Sequence, residues 1–191
     1  MIMMILLPIP ISRKKFQELI IMQSNDIVII GILLTVGAIL RYFLTMLHTP
    51  LTPNMVIAFY CLAIILISPR IYEALVIGIV AGVLSMVISS SIFPPGNLIS
   101  EPIGALTCFG IYLIISSRTI VSPTLTTFLA TLASGFTFAV IATIAVPDKI
   151  LTKYPTMWDF IHVVASIVVV TAIFNALIVG ILYPSAKRIL Q

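Results

Sequence analysis

The sequence predicts an all-α integral membrane protein built as one bundle of six helices. The first observation is compositional: the 191 residues are 61% hydrophobic and 8% charged, with a mean hydropathy of +1.26. A soluble domain carries about 25% charged residues, so this chain lacks the polar surface that water requires. The second observation is that the apolar residues gather into six runs, most of them near the length of about 20 residues that crosses a bilayer core.

The six runs are separated by short connections that are polar or contain proline. They cover residues 27–47, 55–67, 71–93, 103–116, 123–146 and 157–183. The second and fourth runs are short. They just reach across a bilayer if they extend to Arg70 and Arg118. An arginine is tolerated at such a helix end because its long side chain can carry the charge to the interface. A re-entrant second or fourth segment is the alternative. Residues 26–191 are thus predicted to form the transmembrane domain.

Residues 1–25 are predicted to be an interfacial N-terminal extension. The apolar run at its start is broken by Pro8 and Pro10 and is too short to span a bilayer. The basic residues follow this run instead of preceding it, and no small-residue cleavage site appears. The segment therefore differs from a signal peptide.

The placement of lysine and arginine predicts the orientation. If the amino terminus is cytoplasmic, two basic residues lie outside, Lys149 and Lys153, and seven lie inside: Arg13, Lys14, Lys15, Arg70, Arg118, Lys187 and Arg188. Cytoplasmic loops are enriched in these residues, so both termini are predicted to be cytoplasmic. The basic residues behind the net charge of +4 lie mainly at the ends of the predicted helices, so the charge does not indicate nucleic-acid binding. The outer connections, "HTPLTPN", "PPGNLISE" and "PDKILTKYPT", hold much of the polar chemistry, which predicts an outward-facing working surface.

Arg41 is an ionisable residue inside the first helix, six residues before the outer end of the run, a rise of roughly 9 Å. A charge in the middle of a membrane helix costs about 2.5–3.5 kcal/mol on insertion scales, so it needs a compensating interaction. Three interpretations stay open. The side chain extends to the outer headgroups, it holds the carboxylate of a ligand, or it joins a structural ion pair.

Glu101 and Asn97 lie in the polar stretch "FPPGNLISEPIGAL". The fourth helix is predicted to begin at Pro102, because proline is well tolerated in the first helical turn. Glu101 would then complement the positive end of that helix. The alternative is a carboxylate that pairs with the ammonium of a ligand. Asn97, after Pro95 and Gly96, is interpreted as a turn residue or as a hydrogen-bond donor to a ligand.

The stretch "WDFIH" opens the last helix and places Asp159 and His162 on one helix face. This spacing suits two metal ligands, but no further ligand accompanies them. A hydrogen-bonded pair at the interface is therefore favoured, and no metal site is predicted. Trp158 and Tyr154 fit the aromatic belt of a membrane protein. An aromatic platform for a flat ligand is the alternative.

Three other features concern helix contacts. Glu73 follows Arg70 at a spacing of three, which predicts a local salt bridge, with an interface to a partner protein as the alternative. Asn175 in the last helix is typical of an interhelical hydrogen bond. Small residues recur at a spacing of four, a pattern that lets helix backbones approach closely. They are Ala74, Gly78 and Gly82 on the third helix, and Gly31 and Thr35 on the first.

The sequence lacks the motifs of several enzyme classes. It has no G-x-x-x-x-G-K phosphate loop, no H-E-x-x-H and no G-x-S-x-G. Cys61 and Cys108 are lone cysteines in apolar runs, which indicates neither a disulfide framework nor a cysteine metal site. No cofactor is expected. The helices show no repeated halves, which argues against a carrier that works alone, so a transporter of this kind would need an external motor.

Six helices with cytoplasmic termini, a small-residue row on the first and a polar outer face resemble the substrate-binding S component of an energy-coupling factor (ECF) transporter. The nearest resemblance is to the tryptophan transporter family. The matching pieces, in order, are "LLTVGAIL", "TPNMVIAFY", "ALVIGIVAGVLS", "PPGNLISEPIGALTCFGIYLI" and "FNALIVGILYP". Together they extend over residues 27–188.

The resemblance implies a high-affinity substrate-binding subunit, not an enzyme, for tryptophan or a related aromatic compound. The substrate would come from outside a prokaryotic plasma membrane, and the partners would be a membrane T component and two cytoplasmic ABC ATPases. The family docks the T component through an A-x-x-x-A motif, matched here by Gly31 and Thr35, which are small but not alanine. The implied pocket includes Asn97, Glu101 and Asn175.

These residues lead to a hypothesis for the pocket. Glu101 would neutralise the ammonium of a zwitterion, Arg41 would take its carboxylate, and Trp158, Tyr154 or Phe93 would cover an indole. Such buried charges are tolerable only when they are paired.

Three alternatives to a tryptophan subunit remain open. The first is an S component for another vitamin or small nutrient. The second is a membrane enzyme that uses Asp159 and His162. The third is a purely structural subunit, which would have no closed pocket.

Overall fold

The computed structural model describes residues 23–46, 53–115 and 121–190, and these ranges are helical with short connections. The six main helices are α1 (Ser24–Met46), α2 (Val56–Ile67), α3 (Ile71–Ile88), α4 (Asn97–Ile115), α5 (Ser122–Ala145) and α6 (Met157–Leu190). A 3-10 turn, Pro94–Gly96, precedes α4, and a five-residue helix, Pro147–Leu151, lies between α5 and α6. The predicted all-α six-helix bundle is confirmed. Most of the predicted N-terminal extension, residues 1–22, lies outside the described residues.

Five of these helices are long and apolar enough to cross a membrane. They are α1, α3, α4 together with its preceding 3-10 turn, α5 and α6. Much of their apolar surface is exposed in the isolated chain, for example at Ile32, Val76 and Leu177. Lipid tails can cover this apolar surface. A helix is stable in lipid because its backbone hydrogen bonds are made within the helix. The chain is a membrane protein with transmembrane helices.

The second helix, α2, is short and forms the centre of the bundle. It has 12 residues and ends where Ser68 takes a left-handed conformation, with φ of 51°. Its length is about 18 Å, well below the roughly 30 Å of a bilayer core. Residues 56–65 are all buried, and α2 contacts each of the other five helices. The expectation that Arg70 extends this helix is wrong. Because protein surrounds α2, it does not need the length of a lipid-facing span.

The other five helices surround α2 in the order α1, α3, α4, α5 and α6, each contacting the next. Over the described ranges, α1 and α6 make no contact with each other. The first core cluster centres on α2, with Tyr60, Cys61 and Ile64 buried against α1, α3 and α4. A second cluster joins the C-terminal part of α5 and the N-terminal part of α6 to the connection between them, around Ile150 and Phe160.

Small residues on α3 allow it to lie against the first half of α4. A Cβ added at Gly78 would lie 2.7 Å from the Cα of Pro102, and one added at Gly82 would lie 2.9 Å from the carbonyl oxygen of Asn97. Both distances are too short for a Cβ atom. The backbones of α3 and α4 can therefore lie this close only because residues 78 and 82 are glycines. Ala74 in the same row is also buried. The predicted close packing of α3 is confirmed.

The fourth helix begins earlier than predicted. Its first residue is Asn97, and Pro102 lies inside it. The prediction that the helix begins at Pro102 is wrong because the 3-10 turn continues directly into α4. A membrane helix tolerates the proline when neighbouring groups compensate for the missing hydrogen bond. Glu101 therefore lies within α4, not at its start.

Two acidic residues cap helices instead of pairing with the predicted side chains. Glu73 Oε2 accepts a hydrogen bond from the backbone N–H of Arg70 at 2.7 Å. Asp159 Oδ2 accepts hydrogen bonds from the backbone N–H and the hydroxyl of Thr156, at 3.0 and 2.8 Å. These bonds satisfy N–H groups that have no partner inside the helix. The expected Arg70–Glu73 salt bridge and Asp159–His162 pair are both wrong.

Candidate functional site

A cavity of about 80 Å³ lies inside the bundle, near the end where α1, α3 and α5 finish and α2, α4 and α6 begin. A single water needs about 10–15 Å³ of such space, so the cavity has room for several waters or for a small molecule. Its polar lining residues are Arg41, Asn54, Ser89, Ser91, Asn97, Ser100, Glu101, Thr131, Ser134 and Thr171. Its other lining residues are Ile57, Gly135, Phe138, Val164, Ile167 and Val168.

Arg41 lines this cavity and is 3% exposed, so the interpretation that it extends to the lipid headgroups is wrong. The helix that carries it approaches α2 closely one turn earlier, at Gly37, where an added Cβ would lie 3.1 Å from the Cα of Val56. Arg41 Nη2 donates hydrogen bonds to Ser89 Oγ and Asn97 Oδ1, both at 3.3 Å.

The same guanidinium keeps unused donors. Its Nε and Nη1 are buried and have no hydrogen-bond partner among the residues that the structure describes. A guanidinium has five N–H donors in a planar fork that matches a carboxylate. Arg41 can therefore still bind an anionic group that enters the cavity.

Glu101 also lines the cavity and is 1% exposed. Its Oε1 accepts a hydrogen bond from Asn54 Nδ2, and its Oε2 accepts one from Ser134 Oγ at 3.3 Å. Both donors are neutral. An ionised carboxylate can accept about four hydrogen bonds, so Glu101 can accept further donors from a ligand.

The two buried ionisable groups share one cavity without bonding to each other. The partners of Arg41 are Ser89 and Asn97, and those of Glu101 are Asn54 and Ser134. Burying a charge is costly unless an opposite charge compensates it. A molecule with one carboxylate and one ammonium would give each group a directly bonded partner of opposite charge. The arrangement is suited to a zwitterion.

Asn97 and Asn175 support this arrangement from two sides. Asn97 Nδ2 donates to the carbonyl oxygen of Pro94 at 2.8 Å, which leaves Oδ1 to accept from Arg41. Asn175 is fully buried next to the cavity, and its Nδ2 donates to the carbonyl oxygen of Asn54 at 3.0 Å and to Thr131 Oγ1 at 3.3 Å. The predicted interhelical role of Asn175 is confirmed.

The aromatic candidates lie outside the cavity lining. Trp158 is 71% exposed at the start of α6. Tyr154 packs edge-on against Phe160, with ring centroids 5.3 Å apart, and Phe93 belongs to the same cluster. The aromatic side chain that does line the cavity is Phe138 of α5, which sequence reasoning did not select.

Gly31 and Thr35 lie on the exposed face of α1. A Cβ added at Gly31 would have no atom within 4 Å, and Thr35 Oγ1 donates a hydrogen bond to the carbonyl oxygen of Gly31 at 2.7 Å. This face therefore contributes nothing to the packing of the described bundle. It is open to lipid or to another membrane subunit.

Several lining residues were missed by sequence reasoning, namely Asn54, Ser100, Thr131, Ser134 and Thr171. Asn54 had a signal, since it ends "HTPLTPN", one of the connections predicted to lie outside. The hydroxyl residues had none, because serine and threonine are common in membrane helices and often bond to their own backbone. The described residues hold no group of three or more metal-ligating side chains.

Comparison with known proteins gives the chain a family. The sequence profile of the family described as "Tryptophan transporter TrpP" matches residues 23–191. A protein of Bacillus subtilis (strain 168) named "Probable tryptophan transport protein" is 27% identical over 176 residues, which are 89% of this chain and 95% of that protein. No solved structure matches the chain. The match extends over the whole described bundle, both buried ionisable residues included, and the chain therefore belongs to the tryptophan transporter TrpP family of transport proteins.

Proposed function

We propose that this chain is the substrate-binding subunit of an ECF-type ABC importer and that it binds tryptophan or a related aromatic compound in the cavity. Membership of the tryptophan transporter family supports the substrate. The observation that carries the proposal is the placement of Arg41 and Glu101, two buried ionisable residues that line one cavity and do not pair with each other.

In the proposed binding mode, the free donors of Arg41 take the substrate carboxylate and Glu101 accepts its ammonium. Asn97 orients the guanidinium through its hydrogen bond to Nη2. Asn175 acts indirectly, since it holds the backbone of Asn54, whose side chain in turn bonds to Glu101. Charge-assisted hydrogen bonds of this kind are about twice as strong as neutral ones.

We place the protein in the plasma membrane of a prokaryote, with both termini in the cytoplasm and the cavity open toward the outside. The excess of lysine and arginine at the opposite end supports this orientation. Lys187 and Arg188 lie in the last turn of α6, far along the helix from its cavity-lining residues.

The proposed partners are a membrane T component and two cytoplasmic ABC ATPases. The chain has no phosphate-binding loop, so ATP hydrolysis would have to come from other subunits. The exposed, side-chain-poor surface at Gly31 and Thr35 is the proposed docking site, because small residues allow a second helix to approach closely.

Isothermal titration of the purified subunit with tryptophan tests the substrate site. We expect Arg41→Gln and Glu101→Gln each to weaken binding by about 30-fold or more, since removing one partner of a buried charge pair costs roughly 2–5 kcal/mol. Glu73→Gln is the matched control, because Glu73 bonds to the backbone of Arg70 at the start of α3 and does not line the cavity. It should leave the affinity unchanged.

Equal affinities for wild type and Glu101→Gln would remove Glu101 from the site. A panel of other amino acids and vitamins, titrated in parallel, separates tryptophan from another nutrient. If the wild type binds a vitamin and not tryptophan, the substrate assignment fails. Copurification of an ABC ATPase pair with this chain tests the importer assignment separately.

A further inference from the structure

The cavity has two chemically different sides. The groups that bond to Arg41 and Glu101 are Ser89 and Asn97 at the junction of α3 and α4, Asn54 before α2, and Ser134 of α5. The opposite side is built by α6 and by the part of α5 that carries Phe138. Its apolar lining residues are Phe138 from α5 and Val164, Ile167 and Val168 from α6. A zwitterion held by its two charged groups would therefore direct its side chain toward the α5–α6 side.

This apolar side is closely packed and has a fixed shape. Gly135 of α5 meets Val168 of α6, where an added Cβ would lie 2.6 Å from Val168 Cγ2. Phe138 packs against the 3-10 turn, since a Cβ added at Gly96 would lie 3.0 Å from Phe138 Cε2. Contacts on both flanks hold the Phe138 ring and the valine side chains in place. A rigid apolar surface with an aromatic ring at its edge favours a flat aromatic side chain.

Thr171 is the polar residue among the four that α6 contributes to the lining. It follows Ile167 by one helical turn and is 4% exposed. Its hydroxyl makes no hydrogen bond with any residue in the described ranges. By contrast, Thr131 on α5 donates to the carbonyl oxygen of Thr127 at 2.8 Å and accepts from Asn175. Ser91 and Ser100 also line the cavity with hydroxyls that have no partner among the described residues. Among the residues that α6 contributes, Thr171 has the hydroxyl that can bond to a ligand.

We propose that the α5–α6 side of the cavity is the side-chain subsite and that Thr171 Oγ1 accepts a hydrogen bond from a ring N–H. This inference rests on the proposed function and specifies it: the substrate is an aromatic amino acid whose ring carries one N–H donor. A hydroxyl can serve as an acceptor for such a donor. Arg41 and Glu101 recognise any α-amino acid, whereas Thr171 distinguishes an indole from a ring that lacks the donor.

The test compares two ligands that differ at the ring nitrogen. Tryptophan and 3-(benzothiophen-3-yl)alanine have similar size and the same zwitterionic group, but sulfur replaces the N–H in the second. Their affinities are measured by isothermal titration for wild type, Thr171→Val, which removes the hydroxyl at nearly constant volume, and Thr171→Ser, which keeps it. Thr107→Val is the matched control, because Thr107 donates to Ile103 on α4 and does not line the cavity.

We expect wild type to prefer tryptophan by about tenfold, the effect of one buried hydrogen bond left unmade. Thr171→Val should bring the ratio of the two affinities close to one, mainly by weakening tryptophan. Thr171→Ser and Thr107→Val should keep the wild-type ratio. Because each variant is judged by a ratio of two ligands, a general loss of folded protein does not imitate the expected result.

Three results would overturn the inference. If wild type binds the two ligands equally, or if Thr171→Val keeps the wild-type preference, Thr171 does not read the ring N–H, while the proposed function stands. If wild type binds neither ligand, the proposed function fails and this inference fails with it.

Discussion

At the level of single residues, the proposed binding site depends on buried polar groups. Arg41 and Glu101 are each almost completely buried and each bond to neutral neighbours. Groups buried to this degree have little contact with water, so their partners must come from the chain itself or from a ligand. The two ionisable residues in the cavity lining therefore support its proposed role in binding.

The contribution of a buried polar side chain to this bundle can be measured at Asn175 without a ligand. Its side chain bonds to the backbone of Asn54 and to Thr131, which joins α6 to the start of α2 and to α5. We expect Asn175→Ala to lower the free energy of unfolding by about 1–2 kcal/mol, the upper range for interhelical hydrogen bonds in membranes. Thermal unfolding in detergent would measure the change.

Ser166→Ala serves as the control for this substitution. Ser166 lies on the same helix and bonds only to the carbonyl oxygen of His162 on the exposed side. Its replacement should leave the midpoint of unfolding nearly unchanged. If Asn175→Ala were as stable as Ser166→Ala, the hydrogen bonds of Asn175 would contribute nothing to the bundle.

At the level of helices, close backbone contacts place the functional side chains. The glycines of α3 bring it against the residues of α4 that carry Asn97 and Glu101. On the other side of α4, a Cβ added at Gly104 would lie 2.8 Å from Ser134 Cβ. Because close contacts hold α4 on both sides, the direction of the Glu101 side chain is determined by packing.

The contact between α3 and α4 predicts the effect of one added methyl group. We expect Gly78→Ala to destabilise the protein by about 1–3 kcal/mol, since the new Cβ would meet the backbone at Pro102 and the Cβ of Ala105, 2.8 Å away. Tryptophan binding should weaken as well, because a shift of α4 moves Glu101. Thermal unfolding and titration would measure the two effects.

Gly110→Ala provides the matched control on α4. A Cβ added at Gly110 would have no atom within 4 Å. Alanine is the better helix former by about 1 kcal/mol, so this variant should be at least as stable as wild type. If Gly78→Ala and Gly110→Ala were equally stable, α3 and α4 would not pack as closely at Gly78 as the structure shows.

At the level of the whole molecule, the bundle separates its proposed tasks. The cavity lies between the helices at one end, whereas Gly31 and Thr35 lie on the outside of α1. The two regions share no side chain. A change at Gly31 should therefore affect assembly and transport without affecting substrate binding.

Gly31→Leu tests this separation. Its side chain would meet nothing in the isolated subunit, so we expect unchanged tryptophan affinity. With a T component and ATPases co-expressed, tryptophan uptake should fall by about tenfold or more, because overpacking a close helix contact costs roughly 1–3 kcal/mol. Gly110→Leu is the control, with the same substitution at another open position. Wild-type uptake by Gly31→Leu would exclude this face from docking.

Much of the architecture could be predicted from composition and from the spacing of apolar runs. Both depend on the transfer of side chains from water to lipid, a property of each residue type that needs no partner. The same properties identified Arg41 and Glu101, because an ionisable residue in an apolar run is conspicuous wherever it points. The helix bounds at α2 and α4 were predicted less well, since the burial of α2 on all sides and the continuation of the 3-10 turn into α4 depend on neighbouring helices.

Helix packing selected the remaining features of the site. It turned Arg41 inward, left Trp158 on the surface and brought Phe138 and Thr171 to the cavity. Phenylalanine and threonine are ordinary residues in a membrane helix, and only the side of the helix on which they lie places them in the cavity lining. That side is set by contacts such as Gly135 with Val168, which join residues more than 30 positions apart in the chain. A pattern that extends over one helix carries no information about such contacts.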